Sequence, residues 1–186
     1  APRGEEETVS SALVQNYDRI DIAFEKGEGS HLVAEGGRRY LDFACGIGVT
    51  SLGHSNARVT KALKDQADKV WHVSNLYNID PQTRLAERLT AHSFADKAFF
   101  CNSGAEAVEG ALKMARIYHN SRGDEGRYRV LTFANAFHGR TLATISAGGQ
   151  SKHLDGFGPR VDGFDQVALN DLAAAQAAIG LETAAI

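Results

Sequence analysis

Two short stretches of this chain carry residue types able to hold a small anionic ligand. The first, Cys101-Asn102-Ser103-Gly104-Ala105-Glu106-Ala107, sets small residues beside a helix-capping hydroxyl. Ser103 and Glu106 have the capping-box spacing, in which the hydroxyl accepts from the Glu106 amide and the carboxylate reaches back to the Ser103 amide. The backbone N–H groups of such a turn lie open to a ligand at the positive end of a helix dipole, which suits a phosphate. An ordinary helix start needs the same residues. The second stretch, Asn135-Ala136-Phe137-His138-Gly139-Arg140-Thr141, offers a flat ring in Phe137 and a guanidinium fork for a carboxylate in Arg140. Taken singly, these two are also readable as a core aromatic and a surface salt-bridging arginine.

The elements that must position these stretches follow from hydrophobic periodicity. Lys97 to Cys101 has the apolar, aromatic end of a strand covered on both faces. A helix follows to about Asn120, with Val108, Ala111, Leu112 and Ala115 on one stripe and Glu109 paired with Lys113 on another face. Arg129 to Phe133 is a second apolar strand, so the order strand, helix, strand predicts a parallel pair in an α/β layer fold. Both stretches then leave the carboxyl ends of neighbouring strands and face one crevice, where ligands sit in open α/β sheets.

Upstream, Ser10 to Tyr17 reads as a short helix, and Lys26-Gly27-Glu28-Gly29-Ser30 as a flexible turn. Glu35-Gly36-Gly37-Arg38 between two short apolar runs signals a hairpin. Cys45 to His54 is glycine-rich but fails the dinucleotide pattern, because Ser51 takes the last glycine position. Leu41 to Gly48 also resembles the strand-plus-glycine loop of S-adenosylmethionine methyltransferases. That reading requires a second strand ending in an acid, whereas Ser55 to Val70 reads as an amphipathic helix with Val59, Leu63, Gln66, Ala67 and Val70 on a stripe. A tight loop in a small sheet is the other reading of these glycines. Pro81 is placed to open a helix from Gln82 to about His92, with Leu85, Ala86 and Leu89 as its buried face.

Downstream, Thr141 to Ala147 reads as a strand or short helix, Gly148 to Pro159 as loop, and Leu169 to Ile179 as a helix. Thr183 to Ile186 begins an apolar run without turn or cap, so the chain is expected to be the first part of a longer domain. The expected division is an N-terminal segment over residues 1–53, part of a small domain, and the first part of a large domain over residues 54–186.

A net charge of −3 with acids and bases interspersed suggests neither a nucleic-acid footprint nor an anionic-membrane patch, and favours small-molecule ligands. No run approaches membrane-spanning length, and the N-terminus lacks the apolar stretch of a secretory signal, so a cytoplasmic protein is expected. Cys45 and Cys101 show neither metal-ligand nor disulfide spacing and are expected to be reduced core thiols, with no metal site.

Asn102-Ser103-Gly104-Ala105-Glu106-Ala107, followed at the same interval by Ala136-Phe137-His138-Gly139-Arg140-Thr141, resembles the class III aminotransferases, fold-type I pyridoxal-phosphate enzymes that act on ω-amino groups. Tyr40-Leu41-Asp42-Phe43 with Gly53-His54, Ser74-Asn75-Leu76-Tyr77 with Pro81-Gln82, and Phe157-Gly158 with Gly163-Phe164-Asp165 are most similar to the branch that uses N2-acetylornithine. The resemblance implies a PLP-dependent transferase-like α/β fold: a three-layer αβα large domain, incomplete here, with an N-terminal α+β segment. It implies that Ser103, Gly104, Ala105, Phe137 and His138 bind pyridoxal 5'-phosphate. The Gly104 and Ala105 amides would hold the phosphate, Phe137 would stack on the ring, and Arg140 would hold the α-carboxylate of acetylornithine and of 2-oxoglutarate.

No catalytic residue is assigned within this chain. The Schiff-base lysine, and the acid at the pyridine nitrogen, are expected downstream of Ile186. Lys26, Lys61, Lys64, Lys69, Lys97, Lys113 and Lys152 match no family lysine motif. The implied reaction moves the δ-amino group of N2-acetylornithine to 2-oxoglutarate in arginine biosynthesis, in a homodimer with Asn75 to Asn78 near the neighbouring subunit's cofactor. Substrates such as 4-aminobutyrate, ornithine or succinylornithine are the alternative, and S-adenosylmethionine-dependent methyl transfer a more remote one.

Overall fold

The computed structural model describes residues 12–186, which divide after Asp80 into two compact units. Among the described residues no helix is long and apolar enough to cross a membrane. The first unit is built on an antiparallel sheet, β1 (Phe24–Glu28), β2 (His31–Ala34) and β3 (Arg39–Leu41), in the order β1-β2-β3. Gly36 and Gly37 take φ of 78° and 82°, the left-handed region open to glycine, and the Ala34 amide donates to the Arg38 carbonyl (2.9 Å), so the predicted hairpin forms. Lys26 to Glu28, expected as a turn, instead belongs to β1, because Gly27 and Glu28 pair with Leu32 and His31 through the backbone. Residues 12–17 are not helical. Leu13, Val14 and Tyr17 are exposed, and a helix that short is marginal without a packed face. Ser10 and Ser11 of that expected helix lie outside the described residues.

After β3 the chain makes one irregular turn, α1 (Cys45–Gly48), with positive φ at Cys45, Gly46, Ile47 and Gly48. Asp42 pins this loop at both ends. Its Oδ1 accepts from the Ala44 and Cys45 amides (2.9 and 3.0 Å), and its Oδ2 lies 2.6 Å from His54 Nε2. The hydrogen bond from His54, then that from the Cys45 amide, holds the Asp42 carboxyl below its ordinary range. The strand before this loop belongs to an antiparallel sheet, and α2 (Ala57–Ala67) follows with no second strand. The methyltransferase reading needs a parallel strand-helix-strand unit and is overturned. Asn56 caps α2 by accepting from the Arg58 and Val59 amides, yet Val59, Leu63 and Val70 on its stripe are exposed.

The second unit begins with α3 (Asp80–Ala91), with Pro81 in its first turn. Leu85 and Leu89 on its expected buried face are exposed: periodicity identifies a stripe, not what covers it. Then come α4 (Gly104–Asn120), β4 (Arg129–Phe133), α5 (Leu142–Gly148), α6 (Ser151–Leu154), β5 (Phe164–Val167), α7 (Leu172–Ala178) and β6 (Thr183–Ala185). The strands form a parallel sheet in the order β5-β4-β6, the predicted α/β layering. Val130 and Leu131 of β4 pack with Ile145, Ala147 and Leu154 in the core, where Leu131 is 1% exposed. The stretch 141–147 resolves as helix, and α6 forms inside the expected 148–159 loop.

Lys97 to Cys101 is not a strand. Both edges of β4 are taken by β5 and β6, and an extended run without a ladder partner is not part of a sheet. Phe99 is accordingly exposed rather than covered. The stretch that leads into α4 is therefore not the neighbour of β4, and something other than strand pairing must bring the two ligand-type stretches together.

Packing of the loop after β4 against the first turn of α4 does so. Gly139 is buried at φ 122°, and a Cβ on it would stand 2.6 Å from Ala105 Cβ, 2.8 Å from Ala105 Cα and 3.0 Å from Thr144 Oγ1. Two residues on, Thr141 Oγ1 donates to Glu109 Oε1 (2.5 Å). Thr141 also caps α5, accepting from the Thr144 amide (3.3 Å) while its own amide donates to Thr144 Oγ1 (2.9 Å). Thr144 is wholly buried. At the far end of the sheet Arg129 grips Asp165 through two hydrogen bonds (2.9 and 2.7 Å) and joins β4 to β5. Its guanidinium also reaches Asp162 (3.3 Å).

Gly139→Ala is expected to lower the unfolding free energy by about 2 kcal/mol through overpacking. Gly126→Ala, where a Cβ meets open space, should change it by less than about 0.5 kcal/mol. Equal effects in urea unfolding would contradict the contact. The Arg129 hydrogen bonds hold the Asp165 carboxyl below its ordinary range, so this pair stabilises above that range and the benefit is lost as pH falls through the depressed value. Asp165→Asn should cost about 1 kcal/mol at neutral pH, with the difference from the parent vanishing in strong acid; a difference that grows in acid would reverse the sign of this linkage.

Candidate functional site

At the start of α4 the backbone turns from extended to helical at Ser103 (φ −152°, ψ 161°), and Ser103 Oγ accepts from the Glu106 amide (3.2 Å). The other half of the predicted capping box is shifted by one residue. Glu106 Oε2 accepts from the Asn102 amide (2.5 Å), and its Oε1 from Asn102 Nδ2 (3.2 Å), not from Ser103. An extended Ser103 lets the longer carboxylate reach past it. The first intrahelical bond runs from the Ala107 amide to the Ser103 carbonyl (3.0 Å). Among the described residues nothing accepts from the Ser103, Gly104 or Ala105 amides, and the space above Gly104 is open. Three uncommitted N–H groups at the positive end of a 17-residue helix suit a phosphate.

The loop 135–141 is fixed from three sides. Asn135 adopts φ 64°, and Gln150 Nε2 donates to the Asn135 and Ala136 carbonyls (3.1 and 2.9 Å). Gly148 packs beneath the loop so closely that a Cβ would meet the Ala136 carbonyl at 2.7 Å, and Gly139 closes it onto Ala105. Phe137, held in this way, is 65% exposed, which rules out the core-aromatic reading. The Arg140 guanidinium lies 5.6 Å from the Phe137 ring centre, in cation–π range, and makes no ion pair among the described residues. Its fork is open to a carboxylate.

The structure thus brings the predicted residues of both stretches together, Ala105 against the glycine between His138 and Arg140. His138 borders an apolar groove of about 260 Å³ with Val108, Leu112 and Phe133. Arg140, Lys152 and His153 border a second cavity of about 190 Å³ with Leu142, Ile145 and Phe157. Burial, with Arg140 and then Lys152 nearby, lowers the His153 pKa, which keeps the imidazole neutral. Cys101 is exposed, not a core thiol, and its Sγ lies 3.4 Å from the Ser103 carbonyl. Among the described residues no group of three His, Cys, Asp or Glu side chains is placed to hold a metal ion.

Sequence reasoning missed Gly139, Thr141 and Glu109 as the join, and Gln150, Lys152 and His153 as neighbours of the second stretch. Gly139 carried a signal, a lone glycine inside a loop of chemistry-bearing residues. His153 carried none, because only folding brings it to Phe137.

Residues 12–184 match the family described as aminotransferase class-III. Acetylornithine aminotransferase of Mesorhizobium japonicum is 60% identical over 176 residues, 95% of this chain and 44% of that protein. Acetylornithine aminotransferase of Agrobacterium fabrum is 56% identical over 177 residues, with the same coverage of 95% and 44%. The chain thus spans less than half the length of these relatives. Among solved structures, ornithine aminotransferase from Toxoplasma gondii superposes with a TM-score of 0.84 at 28% identity, over 90% of this chain and 40% of that one. The omega transaminase from Pseudomonas jessenii in complex with PMP gives a TM-score of 0.74 at 30% identity, over 79% and 33%. With its parallel sheet, its open helix start and its exposed Phe137 and Arg140, this chain belongs to the class III aminotransferases.

Proposed function

We propose that this chain supplies the phosphate and carboxylate anchors of a pyridoxal-phosphate-dependent acetylornithine aminotransferase, which moves the δ-amino group of N2-acetylornithine to 2-oxoglutarate in arginine biosynthesis. The observation that carries the reading is the closure of Gly139 onto Ala105, which packs the open start of α4 against the loop that carries an exposed aromatic ring and a guanidinium without an ion pair among the described residues. The choice of acetylornithine among ω-amino substrates is supported by the two relatives of 56% and 60% identity, both named acetylornithine aminotransferase.

When bound, pyridoxal phosphate supplies the electron sink for transamination. Gly104 and Ala105 would donate their amides to its phosphate, with Ser103 beside them and the α4 dipole favouring the negative charge. Phe137, fixed by its loop, would stack on the ring, and His138 would stand at the edge of the neighbouring apolar groove. Arg140 would pair with the α-carboxylate of either substrate, its planar fork orienting that group better than an ammonium would. No lysine of this chain is assigned the covalent or proton-transfer role. Assignment of residues 1–53 to a small domain and 54–186 to a large one, and homodimer formation, belong to the same proposal and rest on the family relationship alone. A cytoplasmic location belongs to it too and rests on the residue composition.

In the complete protein, Arg140→Ala is expected to raise the KM for both carboxylate substrates about tenfold or more, while the Kd for pyridoxal phosphate stays within about twofold. Loss of cofactor binding with unchanged KM would exchange the roles of Arg140 and the α4 start. Steady-state kinetics should give a higher kcat/KM on acetylornithine than on 4-aminobutyrate, and the reverse order would overturn the substrate assignment.

A further inference from the structure

The Phe137 ring is exposed, yet it has an aromatic neighbour from a separate part of the chain. Its ring centre lies 6.1 Å from that of His153 at an interplanar angle of 76°, the edge-to-face geometry that aromatic pairs prefer. His153 sits in α6, whose chain enters from Gln150, the residue that holds the Asn135 and Ala136 carbonyls. One short segment therefore restrains both the backbone before Phe137 and the ring of Phe137. Its imidazole is half-buried against the cavity lined by Arg140, Lys152 and the apolar Leu142, Ile145 and Phe157. The charged groups facing His153 are Arg140 and Lys152, both cations.

We propose that His153 is a positioning residue for the cofactor ring: its imidazole packs edge-to-face on Phe137 and fixes the tilt at which Phe137 meets the pyridine. The inference rests on the proposed stacking role of Phe137. Burial, and then the two cations Arg140 and Lys152, disfavour a third positive charge at His153, so the neutral form is the one that packs. Protonation of His153 places three positive groups around one cavity, and like-charge repulsion drives the imidazole off the ring. The depressed pKa puts this event below the ordinary imidazole range, so the positioning holds at neutral pH and is lost as pH falls through the folded-state value.

The test measures pyridoxal phosphate binding to the complete protein by fluorescence titration, for the parent, His153→Ala, His153→Phe, Phe137→Ala and the double variant, with urea unfolding of each as a control. His153→Ala should raise the Kd about three- to tenfold, the range of one aromatic pair, while His153→Phe restores the parent value. In the Phe137→Ala background the His153→Ala change should have no further effect. The parent should lose affinity on the acid side in a step that His153→Phe lacks. If Phe137→Ala leaves the Kd unchanged, the stacking role itself fails. If Phe137→Ala weakens binding but His153→Ala does not, or if the two add independently, the positioning role fails alone. An acid step of equal size in His153→Phe also overturns it, and a variant that unfolds in the control is replaced by His153→Gln, which should weaken binding without an acid step of its own.

Discussion

Everything proposed for this chain depends on how closely the loop after β4 approaches the first turn of α4. Neither segment is a hydrogen-bonded neighbour of the other in a sheet, so no ladder sets their distance. A glycine without a side chain at 139 lets the loop backbone come down on Ala105, and the Thr141 hydroxyl bonded to Glu109 fixes the loop along the helix. The contact has little area, but it is steric on one side and charge-assisted on the other, so it admits one arrangement. Thr144, wholly buried, serves the same point: its hydroxyl bonds Thr141 and lies against the space a Gly139 side chain would fill. A single small volume thus couples the α4 start, the loop and the α5 cap.

Placed together, the two segments divide the electrostatic work. Backbone amides at the α4 start form a distributed positive site that matches a phosphate, whose charge is spread over several oxygens. Arg140 is a concentrated positive group with a planar fork, suited to a carboxylate. The loop that carries Arg140 also carries an exposed ring, held by backbone hydrogen bonds and by packing of the loop rather than by burial of the ring. Phe137 is exposed and Arg140 makes no ion pair among the described residues, so both side chains are accessible to a ligand.

Much of this was legible in the residues. The alternation of apolar runs and amphipathic helices gave the α/β class, although the strand pair it was read from does not form because Lys97 to Cys101 is not a strand. The Gly36-Gly37 turn gave the hairpin, and the residue types of the two stretches suggested a phosphate, ring and carboxylate chemistry. What escaped was long-range or one residue off. Lys97 to Cys101 has a strand's composition, but composition does not say whether an edge is available, and β4 has none to give. Glu106 bonds the Asn102 amide because backbone dihedrals at Ser103, invisible in the spacing, set which amide the carboxylate meets. His153 and Gln150 lie in a stretch that reads as loop, and their bearing on the 135–141 segment exists only once α6 folds back on it. The apolar stripes of α2 and α3 were recognisable as stripes, whereas their exposure depends on what packs nearby, which periodicity does not encode.

The central claim is that the α4 start and the 135–141 loop grip one phosphorylated ring. A crystal structure of the complete protein with pyridoxal phosphate addresses it directly. The expected result is phosphate oxygens within hydrogen-bond distance of the Gly104 and Ala105 amides and the pyridine ring lying against Phe137. Phosphate density away from those amides, or a ring that does not touch Phe137, would contradict it.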